Sequence, residues 1–161
     1  MPIKVGDRVP EGKFRVMGPE GPAWKTTDDI FKGKKVALFA VPGAYTGTCH
    51  KMHVPSVLQN VDAIRAKGVD TVAVTAVNDV FVMNEWQKAT GAQGRVDFLA
   101  DGNGDFAKAI DMTFDGSGNG LGIRSRRYSM VVEDGVVKKL NVEEAPGKVE
   151  VSGGDTLLQQ L

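Results

Sequence analysis

The amino-acid sequence predicts an α/β domain in which helices flank a central mixed β-sheet. Three observations support this fold class. Short β-branched apolar runs alternate with segments of helical periodicity, which is typical of parallel strands joined by helices. The dipeptide Asp134-Gly135 between two apolar runs signals a hairpin, and therefore an antiparallel pair of strands. The length of 161 residues fits one domain spanning 1–161.

The first half of the chain predicts one buried strand followed by one helix. Residues 1–33 have the composition of extended segments and turns, with a short helix near Thr27–Phe31. Lys34–Val41 is a short apolar run bounded by glycine and proline, which favours a buried strand. From about Thr48 to Lys67 apolar residues recur at helical spacing, and Gly68 ends the helix. Pro55 is expected to kink this helix or to mark a break in it.

Alternation of strands and helices continues through the middle of the chain. Val69–Val77 is a β-branched strand, and Asn78-Asp79 caps a helix that runs to Thr90. Val96–Ala100 predicts a third short strand, and a helix follows over about Asp105–Met112. The glycine-rich segment Asp115–Arg126 is expected to be a loop of functional importance or high mobility.

The C-terminal part predicts a hairpin and a docking helix. Arg127–Glu133 and Val136–Val142 flank the hairpin signal, and the sequence DTLLQQL at 155–161 predicts a short helix. The full order is β-α-β-α-β-α-β-β-α, with a reactive residue where the first main strand meets its helix. This order is the plan of a thioredoxin-like fold with insertions.

Composition and charge narrow the class of partner. Lys and Arg number 20 and so do Asp and Glu, so no electrostatic case exists for nucleic-acid or anionic-membrane binding. The uncharged stretch Val36–Cys49 is shorter than the ~20 residues that span a bilayer. The N-terminal residues lack the apolar core of a signal peptide. We expect a cytoplasmic protein whose partners are small molecules or other proteins.

The chain contains one cysteine, Cys49. It can form no intrachain disulfide and no multi-cysteine zinc site. The predicted fold places it near a helix N-terminus, where free N–H groups and the helix dipole favour the reactive thiolate. A buried cysteine acting as a small hydrophobic residue is the alternative.

We expect no cofactor and no metal. Gly102-x-Gly104-x-x-Ala107 resembles a dinucleotide fingerprint but lacks the acidic residue ~20 positions on. Residues 101–112 lack the glycine and glutamate of a calcium loop. Helical geometry turns His50 away from the face shared by Cys49 and His53, so a closed zinc site would need ligands that the sequence does not supply.

Pro42, Thr46 and Cys49 match the Pro-x-x-x-Thr-x-x-Cys motif of the peroxiredoxins, and the surrounding VPGAYTGTC…HVP resembles the type II, thioredoxin-fold branch. Further segments resemble that branch in the same order. They are VNDVFVMNEW (77–86), FLADGNGDF (98–106) and GLGIRSRRYSMVVEDGVV (120–137). The resemblance covers most of the chain and is weakest over the first ~15 residues and after Pro146.

The resemblance implies a thiol peroxidase with four catalytic positions. Cys49 is the peroxidatic thiolate, the Thr46 hydroxyl bonds sulfur and peroxide, and Pro42 shields the site. An arginine that opens a strand stands beside them. Arg127 fits that place better than Arg124 does, because it precedes the apolar pair 131–132 by four residues, as in the family.

Two further residues are assigned to substrate binding. His53 falls where the branch often has an active-site histidine, although a surface histidine without a role is the alternative. Family members commonly have Phe-Thr-Pro where this chain has Tyr45-Thr46-Gly47. Gly47 therefore loosens a loop that proline would stiffen.

The absence of a second cysteine predicts the catalytic cycle. A sulfenic acid on Cys49 would have no internal resolving thiol, so the reductant must come from outside. Glutathione with glutaredoxin, or thioredoxin, are the candidates, and the resemblance implies a homodimer that packs near the active-site end. The alternative function is a redox-sensing or chaperone-like interaction protein that is oxidised at Cys49 without turnover.

Overall fold

A computed structural model describes residues 1–161 and shows a seven-stranded sheet with helices on both faces. The strands are β1 (Lys13–Gly18), β2 (Gly21–Thr26), β3 (Lys35–Ala40), β4 (Thr71–Ala76), β5 (Asp97–Ala100), β6 (Thr113–Asp115), β7 (Ile123–Ser125), β8 (Tyr128–Glu133) and β9 (Val136–Val142). The α-helices are α1 (Thr27–Phe31), α2 (Val54–Ala66), α3 (Val80–Ala89), α4 (Asp105–Ala109) and α5 (Gly154–Gln159). A π-helical turn, Cys49–His53, precedes α2, and a 3₁₀ turn covers Ser117–Asn119.

The large sheet is mixed, which confirms the predicted fold class. Its strand order is β2-β1-β5-β4-β3-β8-β9. The three central strands β3, β4 and β5 are parallel, while β1, β2, β8 and β9 pair antiparallel. Parallel strands need crossover connections, and α2 and α3 supply them. The predicted hairpin at Asp134-Gly135 joins β8 to β9, with both residues at positive φ.

Strand β3 lies in the interior of the sheet, between β4 and β8. This position explains why its sequence is apolar without alternation. Ala37 and Phe39 pack on one face with α2, α3 and α5. Val36 and Leu38 pack on the other face with α1 and α4. A strand buried on both faces needs apolar side chains in both directions, and the run Lys35–Ala40 provides them.

The predicted helix over Thr48–Lys67 is present, but Cys49–His53 near its start is wound as a π-helix. The N–H of Val54 donates to the carbonyl of Cys49, five residues back, before the long α-helix begins. Pro55 lies in the first turn of α2. Proline has no N–H to donate, and its ring clashes with the carbonyl four residues earlier in a regular α-helix. The wider π-helical turn ahead of Pro55 relieves this clash. Pro55 thus marks a break in winding rather than an end to the helix.

Two segments add strand pairs that the predicted order of elements did not include. Part of the N-terminal segment, Lys13–Thr26, forms the antiparallel pair β1–β2 at the edge of the sheet. The glycine-rich segment Asp115–Arg126 is largely the predicted loop, but its two ends, Asp115 and Ile123–Ser125, pair in the two-stranded β6–β7 hairpin and close it. Gly116 explains this closure, since its N–H bonds the carbonyl of Gly122 at 2.6 Å and an added Cβ would lie 2.8 Å from Leu121. Glycine lets the strands approach more closely than any other residue would allow.

The C-terminal helix α5 packs against α2, as predicted for a docking helix. Its first residue, Gly154, lies so close to α2 that an added Cβ would come within 2.5 Å of the Ser56 carbonyl oxygen. The Gly154 N–H also donates to the Ser56 hydroxyl at 3.1 Å. This contact holds the start of α5 against α2, and with it the end of the segment that connects β9 to α5. No helix combines the length and the apolar character needed to cross a membrane.

Candidate active site

Cys49 lies where the chain leaves the central strand of the sheet. Strand β3 ends at Ala40, a loop follows over 41–46, residues 47–48 are already helical, and Cys49 is the first residue of the π-helical turn. The side chain is 1% exposed and carries the only thiol of the chain. π-Helical turns are rare and often occur at functional sites, and this one directs the lone thiol into the protein.

Arg127 is the main partner of this thiol. It immediately precedes β8, next to β3 in the sheet, and its side chain is 2% exposed. The Nη2 group donates to Cys49 Sγ at 3.0 Å, Nη1 donates to His53 Nδ1 at 2.9 Å, and Nε donates to the Pro146 carbonyl at 2.9 Å. Three of the five N–H donors of the guanidinium therefore have hydrogen-bond partners within the protein.

His53 completes the buried cluster, so the alternative of a surface histidine is wrong. Its side chain is fully buried, and its Nε2 lies 2.8 Å from the Ser152 carbonyl. Arginine can only donate, so Nδ1 must accept from Arg127 and Nε2 must carry the ring proton. A signal for burial was present in the sequence, since His53 stands four residues before Val57 on the stripe continued by Val61.

The imidazole of His53 is neutral at physiological pH. Burial, reinforced by the positive charge of Arg127, lowers the pKa of His53 from 6.5 to about 4. The hydrogen bond to Ser152 and the charge of Glu143 oppose this shift without cancelling it. His53 therefore acts as a fixed acceptor that orients the guanidinium, and it adds no second positive charge to the site.

Arg127 is a buried cation without a carboxylate beside it. None of the ion pairs of the protein, defined by an N–O distance of up to 4.0 Å, includes this residue. Burying a charge is costly unless an opposite charge or strong hydrogen bonds compensate. The Cys49 sulfur at 3.0 Å is the group that can become an anion here. The geometry therefore places the Arg127 guanidinium where it can stabilise negative charge on the sulfur during a reaction.

Thr46 is placed differently from the expectation. Its hydroxyl donates to the carbonyl of Gly43 at 2.7 Å, and no hydrogen bond joins it to Cys49. The physical reason is the tight turn at 43–46, in which the Thr46 N–H also bonds the Gly43 carbonyl at 3.4 Å. The predicted bond from this hydroxyl to the sulfur is absent in this structure. The oxygen of Thr46 keeps its lone pairs free to accept a hydrogen bond.

Pro42 and Gly47 flank the loop that carries the site. Pro42 is buried, and its carbonyl accepts a long hydrogen bond of 3.4 Å from Arg124. Gly47 is exposed, and a Cβ added there would meet no atom within 4 Å. Between them, Tyr45 has a φ of 61°, in the left-handed region that a non-glycine residue rarely adopts. Strained residues of this kind are concentrated at functional sites.

A short segment that the sequence alone left unassigned closes over the cluster. We call residues 144–153 the closing segment. Its carbonyls at Pro146 and Ser152 accept from Arg127 and His53, and its Gly147 carbonyl accepts from the Thr48 hydroxyl at 3.2 Å. Backbone carbonyls make these contacts, so the side-chain sequence carried no signal for them.

Three of the four ring nitrogens of His50 and His53 are bonded within the protein. His50 Nδ1 accepts from the indole N–H of Trp86 at 2.9 Å, and the ring stacks on Tyr45. His53 is bound through both nitrogens, as described above. No group of three or more His, Cys, Asp or Glu side chains is arranged to hold a metal ion.

The N–H groups that follow the glycine-rich turn at 102–104 are already bonded within the protein. The carboxylate of Asp101 accepts from the N–H groups of Phe106 and Ala107, both at 3.0 Å. Those N–H groups at the start of α4 are the ones that would bind a pyrophosphate in a dinucleotide site. The carboxylate of the protein itself occupies this position.

The fold and the site together define a class of protein. A thiol at the junction of a central parallel strand and its helix, paired with a buried guanidinium, is the arrangement of a thiol-dependent oxidoreductase on a thioredoxin fold. A family model described as Redoxin matches residues 4–158. The chain belongs to this redoxin family, in its type II peroxiredoxin branch.

Named relatives agree with this assignment. The chain is 47% identical over 133 residues to the mitochondrial peroxiredoxin-2F of Arabidopsis thaliana, which covers 83% of this chain and 66% of that protein, just under two thirds of its length. It is 40% identical to peroxiredoxin-2C of Oryza sativa subsp. japonica over 99% of both chains. The structure of reduced Prx3 of Vibrio vulnificus in complex with hydrogen peroxide superposes with a TM-score of 0.93 at 42% identity, covering 98% of each chain.

These comparisons confirm the resemblance stated from the sequence and the thioredoxin fold. They support a thiol peroxidase, an oxidoreductase, as the class of activity. The roles of the individual site residues and the identity of the reductant remain predictions.

Proposed function

We propose that this protein is a thiol-specific peroxidase that reduces hydrogen peroxide and organic hydroperoxides through Cys49. The observation that carries the proposal is the 3.0 Å contact between the buried guanidinium of Arg127 and the sulfur of Cys49, in a site without a competing carboxylate. The solved Vibrio vulnificus relative, 42% identical to this chain, is a complex with hydrogen peroxide, which supports this choice of substrate.

The chemical step follows from the pairing of thiolate and guanidinium. The Cys49 thiolate attacks one peroxide oxygen, forming an S–O bond while the O–O bond breaks. Sulfur loses two electrons and becomes a sulfenic acid, and the departing hydroxide or alkoxide takes a proton to leave as water or alcohol. Negative charge moves from sulfur to the leaving oxygen, so the fixed N–H donors of Arg127 stabilise the transition state.

The second half of the cycle requires an external thiol. Since Cys49 is the only cysteine, the sulfenic acid condenses with a thiol of another molecule, releasing water and forming a mixed disulfide. A second external thiol then releases Cys49 in its reduced form. Glutathione with glutaredoxin, or thioredoxin, fits this one-cysteine cycle, and we propose these as reductants of a cytoplasmic enzyme.

The test compares steady-state peroxide consumption by the wild-type protein and by Cys49→Ser, with glutathione plus glutaredoxin and separately with thioredoxin. We expect multiple turnovers with at least one reductant, and none from Cys49→Ser. The control is Thr48→Ser, which changes the neighbouring residue, keeps a hydroxyl group and should keep turnover. Full turnover by Cys49→Ser would refute the proposal.

The same assay separates the enzyme from a redox sensor. One equivalent of peroxide consumed per thiol, without cycling under either reductant, would favour a redox-sensing or chaperone-like interaction protein instead. The proposed homodimer is tested independently by light scattering during gel filtration, where a monomer mass would contradict it.

A further inference from the structure

The carboxylate of Glu143 is a buried charged group that takes no direct part in the peroxidase chemistry. The residue is 4% exposed and directly follows β9. One of its oxygens, Oε2, accepts four hydrogen bonds, from the backbone N–H groups of Glu150, Val151 and Ser152 at 2.9, 2.8 and 2.7 Å, and from the Ser152 hydroxyl at 2.6 Å. Four donors on a single oxygen indicate a site built around a negative charge.

Glu143 is ionised at neutral pH. Burial raises the pKa of this carboxyl, but the hydrogen bonds from Ser152, Val151 and Glu150 outweigh that effect, and the net result is a pKa below the ordinary value. Hydrogen bonds to an ionised acceptor are about twice as strong as those between neutral groups. The carboxylate therefore ties down a stretch of backbone that has no helix or strand to hold it.

This anchored backbone is the closing segment, 144–153, and it contacts the active-site cluster twice. Its carbonyl at Pro146 accepts from Arg127 Nε, and its carbonyl at Ser152 accepts from His53 Nε2. The backbone N–H of Glu143 also donates to the carbonyl of Arg127 at 3.0 Å. Glu143 thus holds the backbone of Arg127 directly, and its carboxylate holds the end of the closing segment that carries the Ser152 carbonyl. The Pro146 carbonyl lies on the same segment, four residues before the first N–H that the carboxylate binds.

We propose that Glu143 is a positioning residue, whose carboxylate holds the closing segment so that Arg127 presents Nη2 to the sulfur of Cys49. The inference rests on the proposed peroxidase function. Glu143 contacts neither the sulfur nor the position that a bound peroxide would take. It acts through the closing segment, whose carbonyls at Pro146 and Ser152 bind Arg127 and His53. Its loss should therefore alter the orientation of Arg127 rather than remove a group that reacts.

Glu143→Gln tests the role of the charge with little change in shape. Glutamine can place its neutral amide oxygen where Oε2 lies, so the change removes the negative charge that strengthens the four hydrogen bonds and thereby loosens the closing segment. We expect the second-order rate of Cys49 oxidation by hydrogen peroxide to fall by on the order of 100-fold, the scale of effect of a misplacement of about 1 Å. The matched control is Glu144→Gln, which removes an exposed carboxylate one residue away and should leave the rate within about twofold.

A second measurement reports on Arg127 without any chemistry at sulfur. In the wild-type protein, the Nε–H of Arg127 is buried and bonded to Pro146, so its exchange with solvent in NMR spectra should be slow. Glu143→Gln should accelerate this exchange at least tenfold, and Glu144→Gln should not. A purely structural effect on stability would lower the unfolding midpoint without changing exchange at Arg127 under native conditions.

Two outcomes would overturn the proposal: a Glu143→Gln rate within twofold of wild type, or a slower rate with unchanged Arg127 exchange. If Glu143→Gln does not fold, Ser152→Ala removes one of the four donors and should shift both readouts in the same direction by a few-fold; unchanged readouts would refute the idea. Slow oxidation of the wild-type thiol would contradict the proposed peroxidase, while the exchange comparison would still decide the role of Glu143.

Discussion

Protonation of His53 should destabilise the protein in mild acid. The folded protein holds this imidazole neutral with a pKa of about 4, whereas the unfolded chain protonates it near 6.5. Between these pH values the unfolded state binds more protons than the folded state, so the free energy of unfolding falls as the pH is lowered. The contribution is fully present above about pH 6.5 and is lost by about pH 4.

The size of this effect follows from the two pKa values. The interval from 6.5 to about 4 corresponds to ~3 kcal/mol, at about 1.4 kcal/mol for each factor of ten in proton affinity. Small domains are stable by only about 5–15 kcal/mol, so one histidine would remove a large part of the total. Burial of the imidazole and the charge of Arg127 are the two physical sources of the loss.

The assay is urea unfolding of the wild-type protein and of His53→Gln at about pH 7.5 and about pH 4. Glutamine can accept from Arg127 and donate to Ser152 but does not titrate in this range. Carboxylates such as Glu143 titrate in both proteins, so their contributions largely cancel in the comparison. We expect the wild type to lose ~3 kcal/mol more than His53→Gln. A parallel loss in the two proteins, within about 0.5 kcal/mol, would refute the placement of a neutral, buried His53.

Three further predictions concern the arginines and two glycines. Arg127→Lys should slow Cys49 oxidation in rapid-mixing experiments by about 10²–10³-fold, since one ammonium group cannot reach three acceptors. Arg124→Lys should change the rate of oxidation only a few-fold, and equal effects of the two substitutions would contradict the choice of Arg127. Gly154→Ala should lower the free energy of unfolding by about 1–3 kcal/mol because its Cβ would meet the backbone of α2, whereas Gly118→Ala, with open space around it, should change it by less than about 0.5 kcal/mol. Gly47→Pro should stabilise the protein by about 0.4–1 kcal/mol, because it restricts the unfolded chain at a first helical turn; a lower urea midpoint would show that the loop needs the freedom of glycine.

Local signals in the sequence were enough to predict most of the sheet. The run from Lys35 to Ala40 is apolar on both faces, and Asp134-Gly135 is a strong hairpin signal, so neither element depends on distant contacts. The short strand pairing at the two ends of the glycine-rich segment 115–126 was missed for the opposite reason. Glycine has low strand propensity, and the β6–β7 pairing depends on a close approach at Gly116 that only the folded chain reveals.

The parts of the site that depend on side-chain motifs could be predicted from the sequence. The positions of Cys49 and Arg127 followed from a motif and from the start of a strand, and the structure brings them to 3.0 Å. The hydroxyl of Thr46 turned to a backbone carbonyl instead, because a hydroxyl rotates to suit its immediate surroundings. The role proposed for Glu143 could not be predicted, since three of its four hydrogen-bond donors are backbone N–H groups, which every sequence has.

The hydrogen bond from the Trp86 indole to His50 gives the protein a built-in optical probe. His50 directly follows Cys49 along the chain, so any rearrangement of the π-helical turn after oxidation reaches this indole through one residue. The other tryptophan, Trp24, lies 53% exposed between Lys13 and Arg15 on the distant edge pair β1–β2. In a Trp24→Phe protein, the emission of Trp86 alone would follow the state of the thiol, so that each half of the cycle could be timed in solution without a label.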